Sequence, residues 1–537
     1  MLIFIPILVI LAGVAIVLRR RYLAQRDENS PRVVVKGHTY SEIVESKPTA
    51  VEETKSVESV RRCCMIGAGR VGAITGIVLA SRNPDVEFCI VDANDRQIDA
   101  WKSDRPPITE SGLEDLVFDD ECLAIEGKDA DSTGAGDPSM ALILTKSEPQ
   151  VGRRRRLKNL SFSSDVHAAV SRSQIVFLCV EMGDSTPSFE YLDPALKLIA
   201  AASTTPKILV QRSTSPYGVV QHIQNRLKSL SHNTKNIPHT ILTNPSFTLP
   251  GSGIAESLNP SRVIIGHIYT PDSRPEDIDA LKALYKPFVP AERIVTMDAF
   301  SAELGAMVSK AVIAQQMVSL ASVSVLSAGS EASAGAVGWM LGVEQSDDNS
   351  SFRSGRGREG VVGLGVEMQE VRRDVKCLVE MARGLRMEKV ADYWCGVLRM
   401  QEGMYRRAIQ GLIMELGAEV EGEKKRVALL GFEEAREMGA IVVNELRCAG
   451  LGVHVVGDDV VVKGQAMKDS FGEGVVATPG MDEAACTGCS AIVLLGTSRT
   501  HTSGWQQIAG GMKERKVLNL GRGVDTVKMK QLGFEML

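Results

Sequence analysis

Three glycines and one carboxylate stand where they could hold a diphosphate and a ribose. The glycines are Gly67, Gly69 and Gly72, within Gly67-Ala-Gly-Arg-Val-Gly72, and the carboxylate is Asp92, twenty residues after the last of them. In such a run the first glycine permits a tight turn, the second lets a pyrophosphate approach the backbone, and the third lets a helix pack closely on a strand. The phosphates would sit on the free N–H groups of the helix N-terminus. A carboxylate at Asp92 accepts both ribose hydroxyls and repels a 2′-phosphate, so the pattern predicts NAD rather than NADP. The same glycines would also suit a bare turn in a fold that has lost its ligand.

The elements that must position these residues flank them. Cys63 to Ile66 is apolar and long enough for a buried strand. Ala73 to Ser81 is small, apolar and free of proline, which predicts a helix; Asn83-Pro84 ends it, and Val86 to Val91 predicts a second strand delivering Asp92. Further apolar runs at Ile175 to Val180, Ile208 to Val210, Thr240 to Leu242 and Val263 to Gly266 alternate with helical segments. That alternation predicts a parallel, doubly wound α/β sheet. From Ser301 to Gly329 the pattern becomes one long helix, with Leu304, Val308, Ala311 and Gln315 along one side. Val371 to Leu385 and Val390 to Leu416 are helical again, and Glu419 to Lys425 is a charged linker. Strands at Val427 to Gly431, Val453 to Val456, Ala491 to Leu495 and Val517 to Leu520 restart an α/β pattern. Glu126 to Arg156, ending in four arginines, reads as a surface insertion, and Gln345 to Glu359 as a stretch that does not pack.

The 537 residues are enough for three domains, and 44% hydrophobic content allows large cores. A net charge of −5 and 5% aromatics give no basis for a nucleic-acid partner. Ten cysteines are scattered, several inside apolar runs, which suits a reducing compartment better than a disulfide framework. Cys486-Thr-Gly-Cys489 is one CxxC without a second pair, so no metal site is predicted and the motif reads as a loop. Leu2 to Leu18 is uncharged and apolar, about 17 residues, at the short end for a membrane span, and Arg19-Arg20-Arg21 follows. Basic residues stay cytosolic, so this predicts a single-pass anchor with the bulk of the chain in the cytosol. Asp27 to Ser59 would be its tether. The predicted class is therefore two doubly wound, Rossmann-like α/β domains joined by a long central helix and a helical middle domain, with an N-terminal transmembrane helix. The boundaries fall at 2–18, 27–59, 60–270, 271–418 and 424–537.

Beyond the glycine run, a series of motifs resembles the UDP-glucose 6-dehydrogenase family of nucleotide-sugar dehydrogenases, over roughly Arg61 to Leu537. They are Val91-Asp-Ala-Asn94, Pro107-Ile-Thr-Glu-Ser-Gly-Leu113, Arg212-Ser-Thr-Ser-Pro216, Asn244-Pro-Ser-Phe247, Asn259-Pro-Ser-Arg-Val-Ile-Ile-Gly266, Ser301-Ala-Glu-Leu304 and Ala391-Asp-Tyr-Trp394. The resemblance implies an NAD domain at 60–270, a dimerising central domain at 271–418 and a UDP-sugar-binding domain at 424–537. It implies oxidation of C6 of UDP-glucose from alcohol to carboxylate with two NAD. The second step passes through a thiohemiacetal on a cysteine, whose thiolate adds to the aldehyde and leaves after hydride transfer. Residue by residue, it implies Gly67, Gly69, Gly72 and Asp92 on the cofactor and Thr214 near the nicotinamide. It implies Asn244, Arg262 and Arg522 toward the UDP-sugar.

The chemistry departs from the family pattern. The family's cysteine lies in a GFGGSCFxKD loop, and the matching stretch here is Gly363-Leu-Gly-Val-Glu-Met-Gln-Glu-Val-Arg-Arg-Asp374. The nucleophile position holds Glu370 or Met368, according to which end is aligned; Cys377 reads as core. The family's Lys-x-x-x-Asn reads Ala306 and Lys310, the lysine moved one turn along the same face. The glutamate of NPEF is Ser246, the NTPT-like segment is Glu181-Met-Gly-Asp184, and the loop after Gly431-Phe432 is shortened to Glu433-Glu-Ala-Arg-Glu437. Two readings follow. One is a tethered family member that binds NAD and UDP-sugar without completing the four-electron oxidation, as a homodimer or paired with an active paralogue. The other is a working NAD-dependent dehydrogenase with altered chemistry, in which Lys310 is the electrophile.

Overall fold

The computed structural model describes residues 60–104, 106–108, 110–122, 153–182, 188–230, 237–248, 252–268, 274–333, 336–337, 340, 343–345, 352–354, 366–417, 425–432, 436–456, 475–478, 486–495, 502–520 and 526–537. The predicted anchor at 2–18, the tether at 27–59 and Arg522 lie outside them.

Strand β1 (Arg62–Ile66) buries both faces: Cys63 and Met65 join one apolar cluster, Cys64 and Ile66 the other. A strand apolar on both sides must lie between layers, and it does. Helix α1 (Arg70–Arg82) and strand β2 (Glu87–Val91) follow as the spacing predicts. The sheet is completed by β3 (Leu160–Ser163), β4 (Ile175–Leu178), β5 (Ile208–Gln211), β6 (Thr240–Thr243), β7 (Val263–His267) and β8 (Ile294–Asp298), in the order β8-β7-β6-β5-β4-β1-β2-β3. The chain leaves β1 in one direction and returns at β4 in the other. Between these two strands lies the switch point at which open α/β sheets bind ligands.

The sheet differs from the sequence-based picture in three places. First, β6 and β7 pair antiparallel, Leu242 opposite His267. Among its described residues their connection contains the short helix Gly253–Leu258 as its one helix, and an alanine-type Cβ on Gly253 would stand 2.7 Å from Ile74 of α1. That helix is seated on α1 at the strands' carboxyl end, so the chain does not make the full crossover a parallel pair needs. Second, β8 belongs to this sheet, which extends it to Asp298, beyond the expected boundary at 270. Third, two stretches read as loops contribute strands. Arg153–Arg155 pairs antiparallel with Phe118–Cys122, and Val343–Gln345 with Phe352–Ser354. The first pairing closes the ends of a long excursion, and the second spans only six residues.

Asp298 ends the sheet and caps the next helix, its side chain accepting from Ser301 N–H at 2.8 Å. That helix, α3 (Ala299–Ala328), runs 30 residues. Gly266 lets it lie against β7, since a Cβ there would come 2.6 Å from that of Ala302. Its Ala311, Ala314 and Val318 pack on Val371, Val375 and Leu378 of α4 (Val366–Gly384), and α5 (Glu388–Leu416) completes the helical middle. By length and apolarity α3 also meets the requirement for a membrane span; in the fold it carries one wall of the cleft described below.

A second parallel sheet follows, from β9 (Arg426–Leu430), β10 (Gly452–Val456), β11 (Val475–Thr478), β12 (Ala491–Leu494), β13 (Lys516–Asn519) and β14 (Glu535–Met536), in the order β11-β10-β9-β12-β13-β14. Helix α6 (Arg436–Cys448) covers one face. Cys486 and Cys489 are free thiols buried in the core of the other face, packed with Ile508 and Val517. Burial pushes the Cys489 thiol up to about 11, so this CxxC is core rather than a redox pair.

Candidate active site

The glycine loop is fixed from both sides before any ligand arrives. Gly67 N–H donates to Val91 O at 2.8 Å, and the residue adopts φ +110°, where a Cβ would meet Cys179 O at 2.5 Å. A Cβ on Gly72 would lie 2.0 Å from Gly67 O. Both glycines are therefore demanded by backbone approach. Ala68 between them has both main-chain groups tied: its N–H donates to Asp92 Oδ2 at 2.9 Å, and its carbonyl accepts from Trp101 Nε1 at 2.8 Å. Asp92 Oδ1 accepts from Asn94 N–H at 2.9 Å. Each carboxylate oxygen keeps a second lone-pair direction for a ribose hydroxyl. Gly69 is the N-cap of α1 without a side-chain cap, and the first turn of α1 carries no acidic residue. The helix therefore presents free N–H groups and a positive dipole end to an anion. These features fit a dinucleotide.

Asp92→Asn keeps the shape and removes the charge. Hydrogen bonds to a charged group contribute about 1.5–3 kcal/mol, so NAD affinity measured by calorimetry should fall about tenfold to a hundredfold. An unchanged affinity would remove Asp92 from the cofactor site.

A second cleft opens at the carboxyl ends of β5 and β6, against α3 and α4. Its walls include Thr214, Ser246, Ala306, Lys310 and Asp374. Lys310 is 8% exposed; its Nζ lies 3.3 Å from Thr214 Oγ1 and 3.7 Å from Asp374 Oδ2, with Asp374 2% exposed. A buried lysine facing a buried carboxylate and a hydroxyl can polarise a substrate oxygen or pass a proton. Glu303, which also lines the cleft, accepts from Gly218 N–H at 2.6 Å and Val220 N–H at 3.1 Å, capping α2 (Val219–Leu230). Burial raises its carboxyl above the ordinary range, against the pull of those backbone donors. Its lone pairs point into the helix end, which makes it a positioning group.

The structure brings Thr214, Ala306, Lys310 and Ser246 together as the motif spacings imply, but it separates others. Asn244 does not line this cleft. It is 1% exposed, its Oδ1 accepts from Arg212 and Tyr285 at 2.5 Å each, and its Nδ2 donates to Ile264 O at 2.7 Å. With Arg212 Nε on Thr75 Oγ1 at 2.7 Å, this network ties β5 and β6 to α1. Arg262 is exposed, stacked over the Phe247 ring at 4.9 Å. The side chains of Met368 and Glu370 lie outside the described residues, although their backbone belongs to α4. Cys377, the one cysteine of α4, is 2% exposed, and burial, with Asp374 adding to it, pushes its thiol up to about 12. The group that sequence reading missed is Asp374. The signal was present: Val371, Val375 and Leu378 mark a buried helix face, and Asp374 falls on it at i+3 from Val371.

A glycine cradle at the switch point of a doubly wound sheet, with a carboxylate closing β2, defines a dinucleotide-binding class of protein. Residues 61–127 and 143–289 match the NAD binding domain of the UDP-glucose/GDP-mannose dehydrogenase family. The chain is 32% identical over 419 residues to UDP-glucose 6-dehydrogenase 2 of Oryza sativa subsp. japonica, covering 75% of each chain. It is 27% identical over 504 residues to UDP-glucose 6-dehydrogenase of Caenorhabditis elegans, covering 88% of this chain and 94% of the relative. A solved UDP-glucose dehydrogenase from the archaeon Pyrobaculum islandicum shares the fold at a TM-score of 0.58, with 19% identity over 90% of this chain and 100% of that one. The chain belongs to the UDP-glucose/GDP-mannose dehydrogenase family, and its cofactor is NAD.

Proposed function

We propose that this protein binds NAD and a UDP-sugar but does not carry a UDP-sugar through both oxidations to the carboxylate. When bound, NAD supplies a hydride acceptor. What the chain's own residues offer beside it is a lysine, a carboxylate and hydroxyls. The observation that carries the reading is the pairing of this cleft with the state of Cys377. The cleft places Lys310 against Thr214 and Asp374, while the thiol of α4 is buried with its pKa pushed to about 12. A thiol in that state is not ionised near neutral pH and is a poor nucleophile toward an aldehyde. Ser246 stands where the family pattern has a glutamate, so a carboxylate is missing as well. Loss of a catalytic nucleophile typically costs several orders of magnitude in rate.

The same reading assigns residues 424–537, with Arg522, to the UDP-sugar. It takes the chain to be a homodimer or to be paired with an active paralogue, and it takes Leu2 to Leu18 as an anchor that keeps the remainder cytosolic. Its test is product analysis: after incubation with UDP-glucose and NAD, the nucleotide sugars are separated and weighed by mass spectrometry. UDP-glucuronate is expected to be absent, and its accumulation in step with NADH would overturn the proposal.

A second reading rests on the Lys310 geometry. An amine 3.3 Å from Thr214 Oγ1 could stabilise a developing alkoxide and support a single two-electron oxidation. In that case slow NADH formation survives, and Lys310→Ala lowers it about a hundredfold to a thousandfold; an equal rate in the variant would exclude Lys310 from the chemistry.

A further inference from the structure

The cleft beside Thr214 holds a cation that its surroundings leave unbalanced. Four charged residues line it: Arg212, Glu303, Lys310 and Asp374. Three are answered locally. Lys310 Nζ stands 3.7 Å from Asp374 Oδ2, and Glu303 accepts the main-chain N–H groups of Gly218 at 2.6 Å and Val220 at 3.1 Å. Arg212, half-buried, meets only neutral acceptors. Its Nε donates to Thr75 Oγ1 at 2.7 Å, and its Nη1 to Asn244 Oδ1 at 2.5 Å, Asn244 O at 3.1 Å and Tyr285 Oη at 3.3 Å. The ionisable groups within its electrostatic reach are uncharged near neutral pH: burial pushes the Cys179 thiol up to about 12 and raises the Tyr285 phenol. A guanidinium cannot be deprotonated in a protein, and a charge drawn out of water without a counter-ion is unfavourable. One of its nitrogens is also unused. Arg212 Nη2 makes no hydrogen bond among the described residues, and it is not a buried atom. With Nε and Nη1 both anchored, the two N–H groups of Nη2 stand at a fixed point, so an acceptor meeting them need not order the side chain first.

We infer that this cleft is a carboxylate site, and that the UDP-sugar it selects is one already oxidised at C6, a UDP-uronate, with its carboxylate on Arg212. A carboxylate supplies both what the guanidinium lacks, a negative charge, and what Nη2 lacks, an acceptor. Two residues beyond Asn244, the wall residue Ser246 brings a hydroxyl, held by Thr248 Oγ1 at 2.9 Å, and no competing charge. Arg212 is on this account the specificity-determining residue, reading the acid in preference to the alcohol. This selectivity presupposes the UDP-sugar binding proposed above and adds the oxidation state at C6.

The full chain, R212Q and S246E are titrated by calorimetry with UDP-glucuronate and with UDP-glucose. The parent is expected to bind UDP-glucuronate about tenfold to a hundredfold more tightly than UDP-glucose, the range of a hydrogen bond to a charged group. R212Q removes the charge and should bring the two affinities together. S246E leaves the Arg212 network in place and sets a competing carboxylate in the wall, so it too should lower the preference; it carries the test if R212Q does not fold. Equal affinities in the parent, or tighter binding of UDP-glucose, would overturn the inference. So would a preference unchanged in R212Q or, where that variant does not fold, unchanged in S246E. Binding of neither nucleotide sugar would overturn it together with the UDP-sugar reading, a result distinct from equal binding of both.

Discussion

Gly72→Ala is expected to cost about 3 kcal/mol of stability, at the upper end of overpacking effects, and to weaken NAD binding a hundredfold or more. The added methyl would meet Gly67 O at 2.0 Å and Cys179 Cβ at 3.0 Å. The first of these cannot yield by rotating a side chain. Gly67 is held by its bond to Val91 O and by a φ of +110° that other residues rarely adopt. The loop must open or α1 must move off β1, and either change dismantles the donors that would face a pyrophosphate. Gly69→Ala is the internal control. Its methyl meets only the flexible end of Glu181, so stability should change little. Denaturant unfolding of the two variants with calorimetry on NAD separates the effects. Equal stabilities for both would mean that the loop is looser than its geometry indicates.

Arg372→Met carries the second large effect. Arg372 lies on α4 with its side chain 4% exposed, and its guanidinium reaches Glu402 at 2.5 Å and Glu437 at 3.1 Å. Lys376 joins Glu437 at 2.7 Å. Glu437 sits in the first turn of α6, where the helix dipole also favours a negative charge. These pairs connect the helical middle to the second sheet domain. Methionine keeps the volume but takes the guanidinium from both carboxylates; Glu437 retains Lys376, and both are about a third exposed and able to recover water, so the loss is discounted to about 2 kcal/mol. Burial alone would raise the Glu437 carboxyl; hydrogen bonds from Arg372 and Lys376 overcome this and hold it below its ordinary 4.5. A depressed carboxyl contributes stability that is present above the unfolded value and lost as pH falls through the folded one. The parent should therefore lose stability on acidification below about 4.5, and the variant should lose less over the same interval. Identical pH slopes for the two proteins would contradict the role given to this pair.

What could be read from sequence was what is local. Arg62 to Asp92 is a contiguous strand, turn, helix and strand, and the bonds from Gly67 to Val91 and from Ala68 to Asp92 lie within it, while Trp101 and Cys179 complete the cradle from outside. The (i, i+4) relation of Ala306 and Lys310 needs only helix geometry, and both residues line the cleft. The remainder depends on distant partners. Asn244 resembled a substrate group until Arg212 and Tyr285, far from it in sequence, were found holding its side chain. Asp374 became part of the site only when α4 packed against α3. The antiparallel β6–β7 pair follows from tertiary seating of a short helix on α1 rather than from strand propensity.

The proposed function joins NAD binding, which the family shows, to a missing thiol chemistry, which remains to be measured. Steady-state NADH absorbance with UDP-glucose, NAD and the full chain tests it most directly. Ordinary enzymes turn over at about 1–1,000 per second. The expected rate is about a thousandfold or more below the lower end of that range, with NAD still binding. Turnover within the ordinary range would contradict the account.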